Sequence, residues 1–260
     1  MVTVHAVIDT ILGAIPGSFA SDTVDTLKAG DPSAEVTGIV TTFLASQAVL
    51  QKAVDLRANL IITHEPTFYN HPDRVDWLAG DPVYQAKYRF IAEHHLNIWR
   101  FHDNLHTCRP DPTFAGITAA LGWGAYETQP AQYRLPPVTL HELAQALKTG
   151  LGASTLRVIG SPDLICRSAA VLVGAWGGIN QMSLWRETDV DVLIVGETPE
   201  WETVEYARDA VLQGRAKALI VTGHANSEEP GMKWLVGWLR PMFPGLPVQH
   251  VPVGDPFRFV

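Results

Sequence analysis

Three apolar runs, far apart in the chain, each break directly into residue types that bind metal. They are Ala58-Asn59-Leu60-Ile61-Ile62-Thr63-His64-Glu65, Leu96-Asn97-Ile98-Trp99-Arg100-Phe101-His102 (continuing to His106), and Ala218-Leu219-Ile220-Val221-Thr222-Gly223-His224 (continuing to Glu228). In an open α/β sheet, ligands gather beyond the carboxyl ends of strands, where the following loops open. The pattern therefore predicts three strands that deliver His-Glu, His-x-x-x-His and His-x-x-x-Glu to such ends. Imidazoles mixed with carboxylates suit borderline divalent ions such as zinc, manganese, iron or nickel. The chain reads as a metal-site protein.

The segments around these runs alternate in period. Val4, Val7, Ile8, Ile11 and Leu12 recur at helical spacing, and Pro16-Gly17 stops that helix. Val36 to Phe43 reads as a strand, Ser46 as the cap of a helix with Val49, Leu50, Ala53 and Val54 inward, and Asn59 to Thr63 as a strand. Tyr84, Tyr88, Ile91 and His95 share a helix face before the strand Asn97 to Phe101. Strand–helix–strand repetition predicts an α/β fold with a largely parallel sheet. Gln129 to Val138, rich in Pro and Gln, reads as a linker, and Thr139 with Glu142 as a capping box. Ala169–Val173, Val190–Val195 and Ala218–Val221 read as strands. Glu200 to Gln213 and Pro230 to Arg240 read as helices.

Composition narrows the function classes. A 47% hydrophobic fraction over 260 residues supports a proper core. Net charge is −8 with no Lys/Arg cluster, which argues against a duplex nucleic-acid surface. The start, Met1 to Ala20, is apolar, but it carries Asp9 and no basic segment, so it does not read as a secretion signal. No run is long enough to span a bilayer, and a cytoplasmic location is expected. Cys108 and Cys166 are isolated and read as buried thiols.

A lone His at a strand end is more often a hydrogen-bonded structural residue than a ligand. The neighbouring Glu65 and the matching strand ends move His64 toward a metal. In the second segment His106 is the stronger ligand candidate. His102 serves either as a ligand or as the group that orients one, and Asp103 as a turn residue. His224 ends a strand, and Ser227 reads as a helix N-cap that puts Glu228 in the first turn. Glu197 follows Gly196 at another strand end and could face the same cavity. Gly174 to Gly178 is either an anion cradle or a tight structural turn. His94-His95 reads as one buried and one exposed, and His71 has only its place in the loop after His64.

In order along the chain, Leu60 to Pro66, Phe101 to His106, Gly196-Glu197 and Gly223-His224-Ala225-Asn226-Ser227-Glu228 resemble the motifs of the Nif-three-like dinuclear metal-centre family, often labelled GTP cyclohydrolase type 2-like. Asp31-Pro32 and the Gly174–Gly178 turn fit the same pattern. The chain departs from it at four places. Glu65 stands where the family has a second His, His106 where it has an Asp ligand, Glu197 where it has an Asp, and Trp201 where it has a His. The first two changes exchange an imidazole and a carboxylate, so His64, Glu65, His106, His224 and Glu228 keep three imidazoles and two carboxylates.

The resemblance implies two interlinked α/β domains, a metal-site domain of 1–127 plus 225–260 and an inserted domain of 128–224. It also implies two divalent ions per chain, a homo-oligomeric ring, commonly hexameric, and metal-dependent hydrolysis of a small, possibly nucleotide-like, substrate. In that reading a metal-bound hydroxide attacks the substrate, with Glu228 and Glu197 as the catalytic residues and Glu228 as the carboxylate that bridges the two ions. A non-catalytic metal-binding ring or interaction scaffold is the alternative. Trp234, Trp238 and the apolar tail from Pro241 to Val260 are a candidate interface between copies, unless the tail packs on its own domain with Val248 to Val251 as a strand.

Overall fold

The protein, seen in a computed structural model, is described for residues 2–16, 23–258 and 260. Gly17 of the expected helix stop and residues 17–20 of the apolar start lie outside the described residues. In chain order the elements are α1 (Val4–Gly13), β1 (Leu27–Ala29), β2 (Ile39–Thr42), α2 (Gln47–Asp55), β3 (Leu60–Thr63), α3 (Pro82–Glu93) and β4 (Asn97–Arg100). Then follow α4 (Pro112–Leu121), β5 (Glu127–Gln129), β6 (Gln132–Thr139), α5 (Leu140–Leu151), β7 (Arg157–Ile159), β8 (Ile165–Leu172), α6 (Gly178–Thr188) and β9 (Val192–Val195). The chain ends with a π-helical turn (Glu200–Val204), α7 (Glu205–Leu212), β10 (Ala218–Val221), α8 (His224–Leu239) and β11 (Val248–His250).

This is an α/β fold with two mixed sheets, in two compact units. Unit 1 comprises Met1–Pro112 with Gly231–Gly254, and unit 2 comprises Thr113–Pro230 with Asp255–Val260. The sequence reading draws the boundaries at 127 and 224. The structure groups α4 with unit 2 because Ile117 is buried beside Tyr133, Leu143 and Leu147, and the second division falls inside α8.

In unit 1 the strand order is β1-β4-β3-β2-β11. β4, β3, β2 and β11 are parallel, and β1 is an antiparallel edge. Strands of a parallel sheet covered on both faces must be apolar on both faces. Accordingly Leu60 and Ile62 enter one core with Val7, Ile11, Trp99 and Leu235, while Ile61 enters the other with Val49, Leu50, Ile91 and Ile98. Unit 2 repeats the device in the order β5-β6-β8-β9-β10-β7, with Val192, Ile194 and Ile220 on one face and Leu193, Val195 and Leu219 on the other.

Helix starts follow local chemistry. The Ser46 hydroxyl accepts the Val49 amide at 3.3 Å, and Thr139 and Glu142 form a reciprocal capping box.

Several expectations need correction. Gln132 to Thr139 is a strand, not a linker: Tyr133 and Leu135 are buried, while Pro136 and Pro137 fall where the register with β8 shifts, a place that tolerates a missing amide donor. Glu200–Gln213 opens as a π-helical turn before becoming α-helical. His94 and His95 are both exposed, because the inward face of α3 is Tyr84, Lys87 and Ile91. Cys108 and Cys166 are buried free thiols. Among the described residues no helix is long and apolar enough to cross a membrane.

Lys87 on α3 is buried, and its ammonium donates to the Thr67 carbonyl oxygen at 2.6 Å and approaches the Tyr69 ring. Burial brings its pKa down to about 8 from 10.5, with Asp73 pulling weakly the other way. The unfolded chain then binds more protons between those two values, so folding stability rises as pH rises through that window. Comparing Lys87→Met with the parent by urea unfolding at pH 8 and pH 10.5 tests this. The parent should gain roughly 3 kcal/mol relative to the variant at most, from ~1.4 kcal/mol per pH unit. Parallel pH dependence in the two proteins would refute it.

Candidate functional site

Unit 1 gathers three imidazoles. His64 leaves β3 and is pulled back by its own amide and that of Glu65, which both donate to the Phe43 carbonyl oxygen, at 3.1 and 2.7 Å. That double contact forces a sharp turn before Pro66 and leaves the His64 ring fully buried. After β4 the chain is held by Asp25, whose carboxylate accepts the amides of His102, Asp103 and Asn104 and the Asn104 side chain, at 2.8 to 2.9 Å. The short helical turn Leu105–Thr107 then carries His106 back toward His102. The result is a group in which one nitrogen from each of His64, His102 and His106 lies within 4.8 Å of the others. The Glu65 carboxylate is 3.7 Å from His102 Nε2.

Each ring is oriented by an oxygen at Nδ1. His64 Nδ1 meets the Phe101 carbonyl oxygen at 3.2 Å, His102 Nδ1 meets Asp103 at 2.9 Å, and His106 Nδ1 meets Asp111 at 2.9 Å. A carbonyl or carboxylate only accepts, so Nδ1 carries the proton in the neutral rings and Nε2 keeps its lone pair. This is the arrangement that presents imidazole to a metal, with an oxygen behind each ring to fix the tautomer. Burial also lowers the His102 pKa, despite the hydrogen bond to Asp103 and the nearby Glu65 charge, which favours the neutral form a metal requires. Burial alone would raise the Asp103 carboxyl, but hydrogen bonds from His102, the Thr23 hydroxyl and the Val24 amide outweigh it and bring it to about 2. Asp103 is thus more than the turn residue expected.

Arg100 underlies this group of histidines. Its side chain is wholly buried, Nε donates to the His64 carbonyl oxygen at 3.0 Å, and NH2 lies 3.5 Å from Glu65. NH1 lies 3.9 Å from Asp73 and also donates to the His71 carbonyl oxygen, and Lys28 is 3.6 Å from Asp73.

Unit 2 presents a second group. His224 Nδ1 contacts Glu197 at 3.2 Å, and His224 Nε2 contacts Glu228 at 3.0 Å. His224 and Glu228 are the first and fifth residues of α8, so they share one helix face. Ser227 is not the N-cap expected. It lies within the helix, its hydroxyl donates to the His224 carbonyl oxygen and accepts the Gly174 amide, and Glu228 is consequently one turn deeper and nearly buried.

Two amides of the glycine-rich turn are taken up within the fold. The Gly174 amide is used by Ser227 and the Gly178 amide by Glu202 at 3.0 Å. Gly174, at φ +66°, passes so close that a Cβ there would stand 2.1 Å from Glu228 Oε1. Trp201 is exposed on the π-helical turn.

Sequence reading missed Arg100, Asp25 and Asp111. Arg100 carried a signal, a lone charge inside an apolar strand. Asp25 did not, because the turn it holds is 77 positions away.

The family described as Duf34/NIF3 (NGG1p interacting factor 3) matches residues 2–254. A Clostridium acetobutylicum protein named "GTP cyclohydrolase 1 type 2 homolog" is 25% identical over 253 residues, covering 90% of this chain and 89% of its own. A Bacillus cereus protein described as related to NIF3 superposes with a TM-score of 0.79 at 16% identity, over 100% of this chain and 99% of that one. A Staphylococcus aureus structure gives 0.77 at 19% identity, over 99% of each chain. These structural likenesses speak to the fold alone.

Proposed function

The chain belongs to the Duf34/NIF3 family, and on that premise we propose that it is a metal-dependent hydrolase of a small substrate, holding about two divalent ions through His64, Glu65, His106, His224 and Glu228. The observation that carries this reading is common to both units. All four rings, His64, His102, His106 and His224, are backed by an oxygen at Nδ1. In this reading His102 stands beside Glu65 in the group of unit 1.

When bound, divalent ions would supply activation of water near neutral pH. The chain's own residues do the rest. Glu228, nearly buried beside His224, is the carboxylate placed to take a proton from the attacking water. Glu197 at Nδ1 and Glu228 at Nε2 together fix the orientation of the His224 ring. The donor set of imidazole and carboxylate fits zinc, manganese, iron or nickel.

Protein purified without chelator is expected to carry about two divalent ions per chain by elemental analysis. His64→Ala should lose most of that metal, and the loaded parent should turn over at least one member of a panel of nucleotides, phosphoesters and cyclic amides. A metal-free parent would end the reading. Full metal content with no turnover would move it to a non-catalytic scaffold.

The reading includes assembly into a homo-oligomeric ring, commonly hexameric. Within the apolar tail, Phe243, Val248 and Val251 are buried in their own unit and β11 joins the sheet, while Phe257 and Val260 stay exposed. Support comes from Phe257 and from Ile179, Trp201 and Leu212, each more than 70% exposed. A monomer mass by light scattering with metal bound would defeat this part alone.

A further inference from the structure

His71 belongs to neither group described above. It stands in the loop after His64, and it is exposed. The buried Arg100 turns NH1 onto the His71 carbonyl oxygen and NH2 onto its Nδ1, the latter at 3.3 Å. A guanidinium has only donors and keeps its proton in proteins, so Nδ1 of His71 must be the acceptor. In the neutral ring the proton therefore lies on Nε2. That is the reverse of His64, His102 and His106, whose Nδ1 atoms face oxygens. The His71 ring is nevertheless a neighbour of theirs, with its centre 5.5 Å from that of His102 and the planes at 80°. No hydrogen bond to Nε2 is formed by the described residues.

We propose that His71 is a hydrogen-bond donor, fixed in the Nε2–H tautomer by Arg100, for an anionic oxygen of the substrate, and is not a metal ligand. The inference rests on the reading that a substrate is handled beside His64, His102 and His106. A ring whose outward nitrogen bears hydrogen offers no lone pair to a metal, but it does offer a donor to oxygen. Arg100 gives it rigidity, because both the backbone and the ring of His71 are held by one guanidinium. A phosphoryl oxygen and a carboxylate oxygen present the same acceptor chemistry. Inorganic phosphate and acetate, used as separate probes, distinguish them.

Two measurements test this. Long-range proton–nitrogen correlation spectra of metal-free protein at pH 8, above the ordinary imidazole range of about 6.5, should show His71 protonated at Nε2 and bare at Nδ1. The opposite tautomer overturns the inference whether or not the protein binds metal. In the zinc-loaded protein, His71→Phe should leave zinc content unchanged and weaken binding of phosphate, or of acetate if that is the better probe, about tenfold. His71→Gln, which restores an N–H donor, should regain a large part of the loss. Unchanged anion affinity in His71→Phe makes His71 a bystander, and lost zinc makes it a ligand; either result overturns the proposal. A parent protein that takes up no zinc defeats the reading of the site separately, and the tautomer then decides the role of His71.

Discussion

Replacing Arg100 by methionine is expected to destabilise the protein by about 3–5 kcal/mol, the range for removing one partner of a buried ion pair. The side chain is wholly buried, and its loss removes a cation from beside Glu65 and Asp73 and a donor from the carbonyl oxygens of His64 and His71 together. Methionine fills much of the volume, so the cost is electrostatic and not a cavity. Arg100→Lys separates charge from geometry. It retains a cation but has no planar fork to reach His64, Glu65 and His71 at once, and should still lose about 2 kcal/mol. Urea midpoints at constant slope measure both. A loss below about 1 kcal/mol for methionine would mean that solvent rescues these groups and that the network does not hold the turn.

Gly174→Ala is expected to abolish metal binding at His224 and Glu228 while leaving most of the fold intact. The new Cβ would stand 2.1 Å from Glu228 Oε1, at a left-handed φ of +66°. The conformational penalty is only about 1–2 kcal/mol, which a folded protein survives. The nearly buried Glu228 carboxylate, however, has to move away from His224. Gly196→Ala provides the contrast, because its Cβ would lie 2.6 Å from the Gly174 backbone nitrogen and oxygen, and backbone cannot swing aside. That variant should be destabilised well beyond Gly174→Ala. Thermal melts followed by circular dichroism, with elemental analysis of each variant, distinguish the two. Full metal content in Gly174→Ala would show that Glu228 is not held where the turn confines it.

What could be read from the chain was mostly local. Ser46 and Thr139 cap their helices through contacts three residues away, and the buried strands announce themselves as runs such as Leu60-Ile61-Ile62. Readings went astray where a tertiary contact overrode a local preference. Ser227 is a good N-cap in isolation, but the helix already starts at His224, and the hydroxyl accepts an amide from a turn 53 positions away. Pro136 and Pro137 suggest a linker, yet the alternation of Tyr133, Arg134 and Leu135 already carried the strand signal. In the site, ligand types at strand ends were visible. The oxygens that orient the rings come from Phe101, Asp103, Asp111 and Glu197, while Asp25 holds the turn itself from 77 positions away, where no spacing rule reaches.

The parallel pairing of β11 with β2 has a consequence for the order of synthesis. His250 pairs with Thr41 across 209 positions, and all of unit 2 up to Pro230 is translated in between. When β2 emerges from the ribosome, the edge that β11 will cover has no partner, and it stays open until the last residues of unit 1 appear. Unit 2 is nearly contiguous and can close its own sheet first. The usual amino-terminal-first order of domain completion is therefore expected to be reversed. A nascent chain halted before Gly231 would present an apolar strand with unmet backbone groups, the kind of edge that recruits a neighbouring chain or a chaperone.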